Sequence, residues 1–169
     1  MKSKCVFILL TLTSCLLIAC GTNKSATPGT NEKPSTPAMQ TEGFVVEKST
    51  KAVLVVNPNL KDNDKNYGPI YFSNTPDTLE IGDKVIISFD ILMESYPGQA
   101  EAKEVKVLES HKPAGADLTE AEALEKAMGS TNVNSRILSK FEYNHDTDSW
   151  IIETKDIMGD AKEIKIEDK

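Results

Sequence analysis

Between Gly43 and Glu109 the chain carries five short apolar runs, each too brief for a helix and each bounded by turn residues. The first two, Gly43 to Lys48 and Lys51 to Asn57, are rich in valine, and Lys48-Ser49-Thr50-Lys51 between them has the length of a tight hairpin connection. Tyr67 to Asn74 is the third, with Pro69 near its start marking an edge or a bulge, because proline has no amide hydrogen for a ladder. Gly82-Asp83 turns the chain into Lys84 to Leu92, where Val85, Ile87, Phe89 and Ile91 alternate onto one face. Ala102 to Leu108 is the fifth, with Val105 and Val107 predicted inward and Glu104 and Lys106 outward. Five antiparallel strands in so short a stretch predict a mainly β fold built on a small, strongly twisted, OB-like five-stranded barrel.

The remainder predicts one helix and a three-stranded antiparallel sheet. Ser110 to Ala116 contains Pro113 and Gly115 and reads as a junction. Asp117 stands three residues before Glu120, the spacing of a capping box, and opens a predicted helix from Leu118 to Met128 that Gly129 closes. Ala121, Leu124, Ala127 and Met128 share its apolar face, with Glu122, Glu125 and Lys126 opposite. Arg136 to Tyr143, Trp150 to Ile157 and Lys162 to Glu167 are the three strands, the first two joined by the hairpin loop Asn144 to Ser149. A helix on three strands is a small core by itself, so residues 114–169 are expected to pack on the barrel of residues 42–109 or to extend it.

The first 20 residues read as an address rather than as structure. Lys2 and Lys4 precede the apolar run Val6 to Ala19, the layout of a secretory signal. Those 14 residues would span about 21 Å as a helix, short of the ~30 Å hydrocarbon core. Leu17-Ile18-Ala19-Cys20-Gly21 looks like the lipobox of bacterial lipoproteins, in which the Cys20 sulfur takes up a diacylglycerol as a thioether and residues 1–19 are removed. Two acyl chains suffice for stable anchoring, each buried methylene contributing about 0.8 kcal/mol. The reading places the protein on the extracytoplasmic face of the cell membrane, attached through Cys20. Cys5 and Cys15 leave with the signal, so the mature domain has no disulfide and must be held by its core. Residues 20–41 contain Pro28, Pro34 and Pro37 and almost no large apolar side chain, the composition of a disordered tether.

Glu42 to Glu109 resembles the YobA-like family of uncharacterised domains found in lipoproteins of Gram-positive bacteria. The opening EGFVVE, the segment LEIGDKVIISFD and above all ESYPGQA at Glu94 to Ala100 carry the resemblance. It implies the same cellular address and a single domain over this stretch, and it implies no activity. LTEAEALEKAM and the ending EIKIED resemble the repeat of PepSY-type domains, except that a first strand is missing unless Glu104 to Glu109 serves as one.

Composition and motifs exclude more chemistry than they suggest. A formal charge of −7, deepened by two when Lys2 and Lys4 are removed, is the wrong sign for nucleic acid. With 39% hydrophobic residues the chain is not a disordered one. There is no G-x-S-x-G elbow and no phosphate-binding glycine loop. Asp62-Asn63-Asp64-Lys65-Asn66-Tyr67-Gly68 imitates the start of a calcium loop, but Gly is seventh where an EF-hand needs it sixth, Ser73 stands at position twelve, and Lys65 adds positive charge. Asn144, Asp146 and Asp148 have the spacing of hairpin turn residues, and the two histidines, His111 and His145, fall in a junction and a turn. No metal site, no cofactor and no catalytic residue is expected.

The segment Glu94, Tyr96, Pro97, Gly98 and Gln99 has two readings. In one it is a structural corner: Tyr96 packs over the barrel end, Pro97-Gly98 turns the chain, and Gly98 supplies a backbone angle other residues resist. In the other it is a recognition loop at the rim of the barrel, where OB-like folds often bind. The functional expectation is a monomeric, non-enzymatic binding or adaptor module at the cell envelope, whose partner is an envelope protein or a small ligand. The alternative is a regulator or inhibitor of an extracytoplasmic enzyme acting through the C-terminal sheet.

Overall fold

The computed structural model describes residues 39–59, 67–130, 137–156 and 158–169. The signal, Cys20, the tether before Met39 and the Asp62 to Asn66 part of the calcium-like loop lie outside the described residues.

Seven strands form the first sheet: β1 Met39–Lys48, β2 Ala52–Val56, β3 Ile70–Ser73, β4 Lys84–Phe89, β5 Leu92–Met93, β6 Gly98–Glu101 and β7 Glu104–Val107. Their order is β5-β6-β3-β2-β1-β4-β7. All neighbours are antiparallel except β3 and β6, which run parallel. The long β1 serves two partners: Met39 to Phe44 pairs with β4, and Phe44 to Lys48 pairs with β2 across a bulge between Val45 and Glu47. A bulge bends and twists a strand, which lets one strand turn from one flank to the other. The opposite flanks are drawn together by residues 98–107. Ala102 N–H donates to Ser73 O at 3.0 Å and Lys103 N–H to Ser88 O at 2.8 Å, so β6 and β7 are halves of one bent segment touching both β3 and β4. The sheet curls round a core of Val45, Val55, Ile70, Phe72, Ile87 and Phe89, in which the Phe72 and Phe89 rings meet edge to face at 5.3 Å.

The mainly β class is as expected, and several details differ. The ladders run β3-β2-β1-β4 and return through the bent 98–107 segment, which pairs with β3 as β6 and with β4 as β7. Five strands thus curl round on themselves, and β5 is an added hairpin strand outside that circuit. The predicted fourth strand stops at Phe89, and Ile91, placed inward by alternation, is 74% exposed. The predicted fifth strand begins earlier and breaks in two, and Val107, on the same face as Val105 but at the strand's end, is 52% exposed. Met39 to Thr41, assigned to the tether, are the first residues of β1, paired with Phe89, Ser88 and Ile87.

β1 and β2 have apolar residues on both faces because both faces are buried. Val45, Val53 and Val55 line the curled core, while Phe44, Val46, Leu54 and Val56 belong to a second core shared with the C-terminal half. That half comprises α1 Glu120–Gly129 and the strands β8 Ile137–Asn144, β9 Ser149–Lys155 and β10 Ala161–Glu167, in the order β10-β9-β8. Leu124 and Met128 of α1 and Trp150 and Ile152 of β9 fill the shared layer, and Phe141 meets Phe44 edge to face at 5.3 Å. The expectation that the small C-terminal core leans on the first sheet is met. β7 pairs with β4 in the first sheet, so Glu104 to Glu109 supplies no fourth strand to the second. Gly82, at φ +99°, lets the first sheet's turn approach α1: a Cβ there would lie 2.5 Å from Ala121 O.

The helix starts two residues later than predicted. Thr119 is the N-cap, accepting from Glu122 N–H at 3.3 Å, while Thr119 N–H donates to the Glu122 carboxylate at 2.8 Å. Asp117-x-x-Glu120 and Thr119-x-x-Glu122 both fit the pattern. The second prevails because the Asp117 and Leu118 amides are bound by Asp168. Gly129 is the last helical residue, not the cap; Ser130, in the right-handed region, follows it.

Candidate functional site

The two readings of Glu94 to Gln99 separate once the local geometry is clear. β5 and β6 form a short hairpin, Leu92 opposite Ala100 and Met93 opposite Gln99, with residues 94–97 as its turn. The Ser95 amide donates to Met93 O at 2.9 Å and its hydroxyl to Pro97 O at 2.8 Å, and Gln99 Nε2 reaches that hydroxyl at 3.5 Å. The Tyr96–Pro97 peptide is cis. Gly98 is buried and donates to Pro69 O at 2.8 Å. It does not occupy the left-handed region, so the expected reason for a glycine is replaced by another: a Cβ would come within 3.0 Å of Leu92 Cδ1 and 3.5 Å of Ile70 Cγ1. Gly98 is thus a packing corner.

Tyr96 is not. Its side chain is 65% exposed and covers nothing, contrary to the corner reading. Glu94 is exposed as well, and Ser95, not Glu94, ties the turn's backbone. Two further residues of the hairpin are exposed: Ile91, which alternation had placed inward, and Met93 at 61% exposure. The only sequence signal for them is the unbroken Ile91-Leu92-Met93 run, in which three consecutive apolar residues cannot all face one core. Beside the hairpin opens a cleft of about 340 Å³, lined by Ile91, Met93, Gln99 and Ala100 with Ser73, Glu101 and the Asp90–Lys103 pair (3.7 Å) at its polar side. Such a surface suits an apolar contact rimmed by polar groups.

Other candidates resolve into structural roles. Asn144 Oδ1 accepts from the amides of Asp146 (2.9 Å) and Thr147 (3.2 Å), closing the turn, and Asp148 takes the Tyr143 hydroxyl at 2.7 Å. That hydrogen bond to a carboxylate pushes the Tyr143 phenol up to about 12. His145 lies edge-on to Tyr143 at 4.8 Å. Among the described residues, no three His, Cys, Asp or Glu side chains are grouped to hold a metal ion.

The free edges of the second sheet are guarded. β8 has a register shift between Leu138 and Lys140 and carries the Lys140–Glu142 pair at 2.7 Å, and β10 bears Lys162, Glu163, Lys165 and Glu167. Bulges and charges of this kind resist strand addition.

One charged residue of this region escaped the sequence reading. Asp168, 2% exposed, accepts from the Asp117 amide, from Leu118 N–H at 2.9 Å and from Trp150 Nε1 at 2.9 Å. Burial pushes its carboxyl up, but the three hydrogen bonds together outweigh burial and hold it below the ordinary carboxylate value. Asp168 fastens the chain end to the helix entrance and to the shared core. No periodicity announces it.

Comparison with known proteins bears on the first sheet. Residues 42–109 match the family described as protein of unknown function (DUF3221). The crystal structure of a YobA protein from Bacillus subtilis is 19% identical, with a TM-score of 0.36, and the match covers 45% of this chain and 99% of that one. The solution structure of Bacillus subtilis YobA residues 21–120 is also 19% identical, with a TM-score of 0.34 and coverage of 51% and 92%. No curated protein matches the chain.

Proposed function

We propose that this chain, whose residues 42–109 match the family described as protein of unknown function (DUF3221), is a lipid-anchored extracytoplasmic module that binds rather than catalyses. Cys20 in Leu17-Ile18-Ala19-Cys20-Gly21 is the attachment point, and the β5–β6 rim is the binding surface. One observation carries the binding part: Ile91 and Met93 lie uncovered on an open cleft, and Tyr96, also uncovered, follows in the turn of the same hairpin. Exposed apolar clusters with polar surrounds mark contact surfaces more often than catalytic ones. The alternative, regulation of an enzyme through an edge of the C-terminal sheet, has less support because both edges carry charge and β8 is bulged.

Two measurements test the reading. Metabolic labelling with a palmitate analogue should mark the wild type and not Cys20→Ser; equal labelling of both removes the anchor. A photocrosslinking residue at position 96 on intact cells should give a defined adduct that the same residue at exposed position 162 does not. Identical products at both positions remove the rim as a binding surface.

A further inference from the structure

The rim has a place along the chain as well as a composition. Met39, the first residue of β1, pairs with Phe89, the last residue of β4, and Ile91 follows two residues on. The polypeptide coming from Cys20 therefore enters the first sheet beside the start of the 90–97 loop. Residues 21–38 separate Cys20 from Met39, and a chain of that length has a coil average of about 23 Å and a fully drawn-out reach of about 60 Å. The uncovered apolar side chains therefore lie close in the fold to the point where the chain coming from Cys20 joins the sheet.

Resting on the anchored-module reading, we propose that the partner of this rim is the lipid surface itself: Ile91, Met93 and Tyr96 dock into the bilayer that holds the Cys20 lipid. Three features of the rim fit that occupant. Among the described residues the large exposed apolar side chains are Ile91, Met93, Tyr96, Val107 and Met158, and three of these five fall within six residues of the loop. Tyrosine has an apolar ring and a polar tip, the combination that settles at the headgroup level. A tether also makes docking intramolecular, so a patch too weak to hold a free protein on a membrane suffices for one already attached. The charges around the patch set the lipid preference. Asp90 is paired with Lys103, while Glu94 and Glu101 are exposed, so the rim is acidic on balance. Docking is accordingly stronger on zwitterionic than on anionic bilayers, and salt relieves the difference by screening.

The test uses the mature protein, lipidated at Cys20 and reconstituted into phosphatidylcholine vesicles, with a single added thiol at Met93→Cys or, as control, at Lys162→Cys on β10. An environment-sensitive fluorophore at position 93 should shift to the blue and be quenched several-fold more by brominated lipid than one at position 162. Ile91→Ser with Tyr96→Ser should abolish the excess. Adding phosphatidylglycerol should reduce it at low salt and less at high salt. Equal quenching at positions 93 and 162, in protein that still floats with the vesicles, overturns the docking and leaves the anchor standing. A label at 93 that stays in water, with a photocrosslinking residue at the same position joining two copies, overturns it in favour of a second copy. Wild type that takes up no acyl chain at Cys20 overturns both readings together.

Discussion

Two apolar surfaces of the first sheet meet different fates. On the outer face of β1 and β2, Phe44, Val46, Leu54 and Val56 are roofed by α1 and β8–β10 of the same chain. At the β5–β6 rim, Ile91, Met93 and Tyr96 have no roof. Both surfaces have similar residue types, so hydrophobicity alone does not distinguish a stabilising face from an interaction surface. What distinguishes them is whether the chain's own elements reach far enough to cover the surface. The roofed face converts its apolar area into stability, at roughly 1.5–3 kcal/mol per fully buried large side chain. The open rim retains that driving force for something outside the fold.

The strongest way to break the comparison is to remove the roof's largest contribution. Trp150 is fully buried, stacks on Phe141 at 5.2 Å and donates to Asp168. Trp150→Ala should cost about 3–5 kcal/mol in urea titration. A loss under 1 kcal/mol would show that the C-terminal layer is not integral to stability.

Asp168→Ala should follow at about 2–4 kcal/mol, because it strands two backbone amides and an indole N–H in a buried place. The effect carries a pH signature. The folded carboxyl lies below its ordinary value of 3.8, so its contribution is present above that value and is lost as pH falls through the lower folded value. Wild type's advantage over the variant should therefore shrink from about pH 4 downward. An advantage constant down to pH 2 would mean that the carboxylate charge contributes nothing.

Gly98→Val tests the packing corner at the base of the rim hairpin. The first carbon already crowds Leu92 and Ile70, and further methyls should cost about 1–3 kcal/mol by overpacking. Gly98→Ala should cost less than Gly98→Val, since a flexible Leu92 side chain can move aside. Equal costs would point to a backbone requirement instead of packing.

The smallest expected effect sharpens the comparison most. Tyr96→Ala should change stability by no more than about 0.5 kcal/mol, because the ring is exposed, while weakening capture or docking at the rim. A large loss of stability would restore the corner reading of the tyrosine.

Strand and helix content was legible in the sequence because alternation and caps are local signals. The valine runs of β1 and β2, the Lys84 to Phe89 alternation and the body of the helix up to Met128 all announce themselves within a few residues. The candidate site was half legible. ESYPGQA marked the turn between β5 and β6, but Ile91 looked inward, because continuing an alternation past Phe89 assumes that the strand continues. The competition between Asp117 and Thr119 for the helix cap was likewise undecidable locally, since it is settled by a carboxylate some 50 residues away.

By itself, then, the sequence determined the mainly β class, the succession of elements and the position of the rim loop, since each depends on residues close in the chain. Tertiary structure alone decided that both faces of β1 and β2 are buried, that residues 98–107 bend to touch two flanks, and that Asp168 closes the C-terminal layer. Burial and hydrogen-bond partners over such separations arise from which surfaces meet when the chain collapses, and no local pattern encodes that meeting. Tertiary structure likewise decided which apolar surface stays open: the C-terminal layer roofs one face of the sheet and does not extend over Ile91, Met93 and Tyr96.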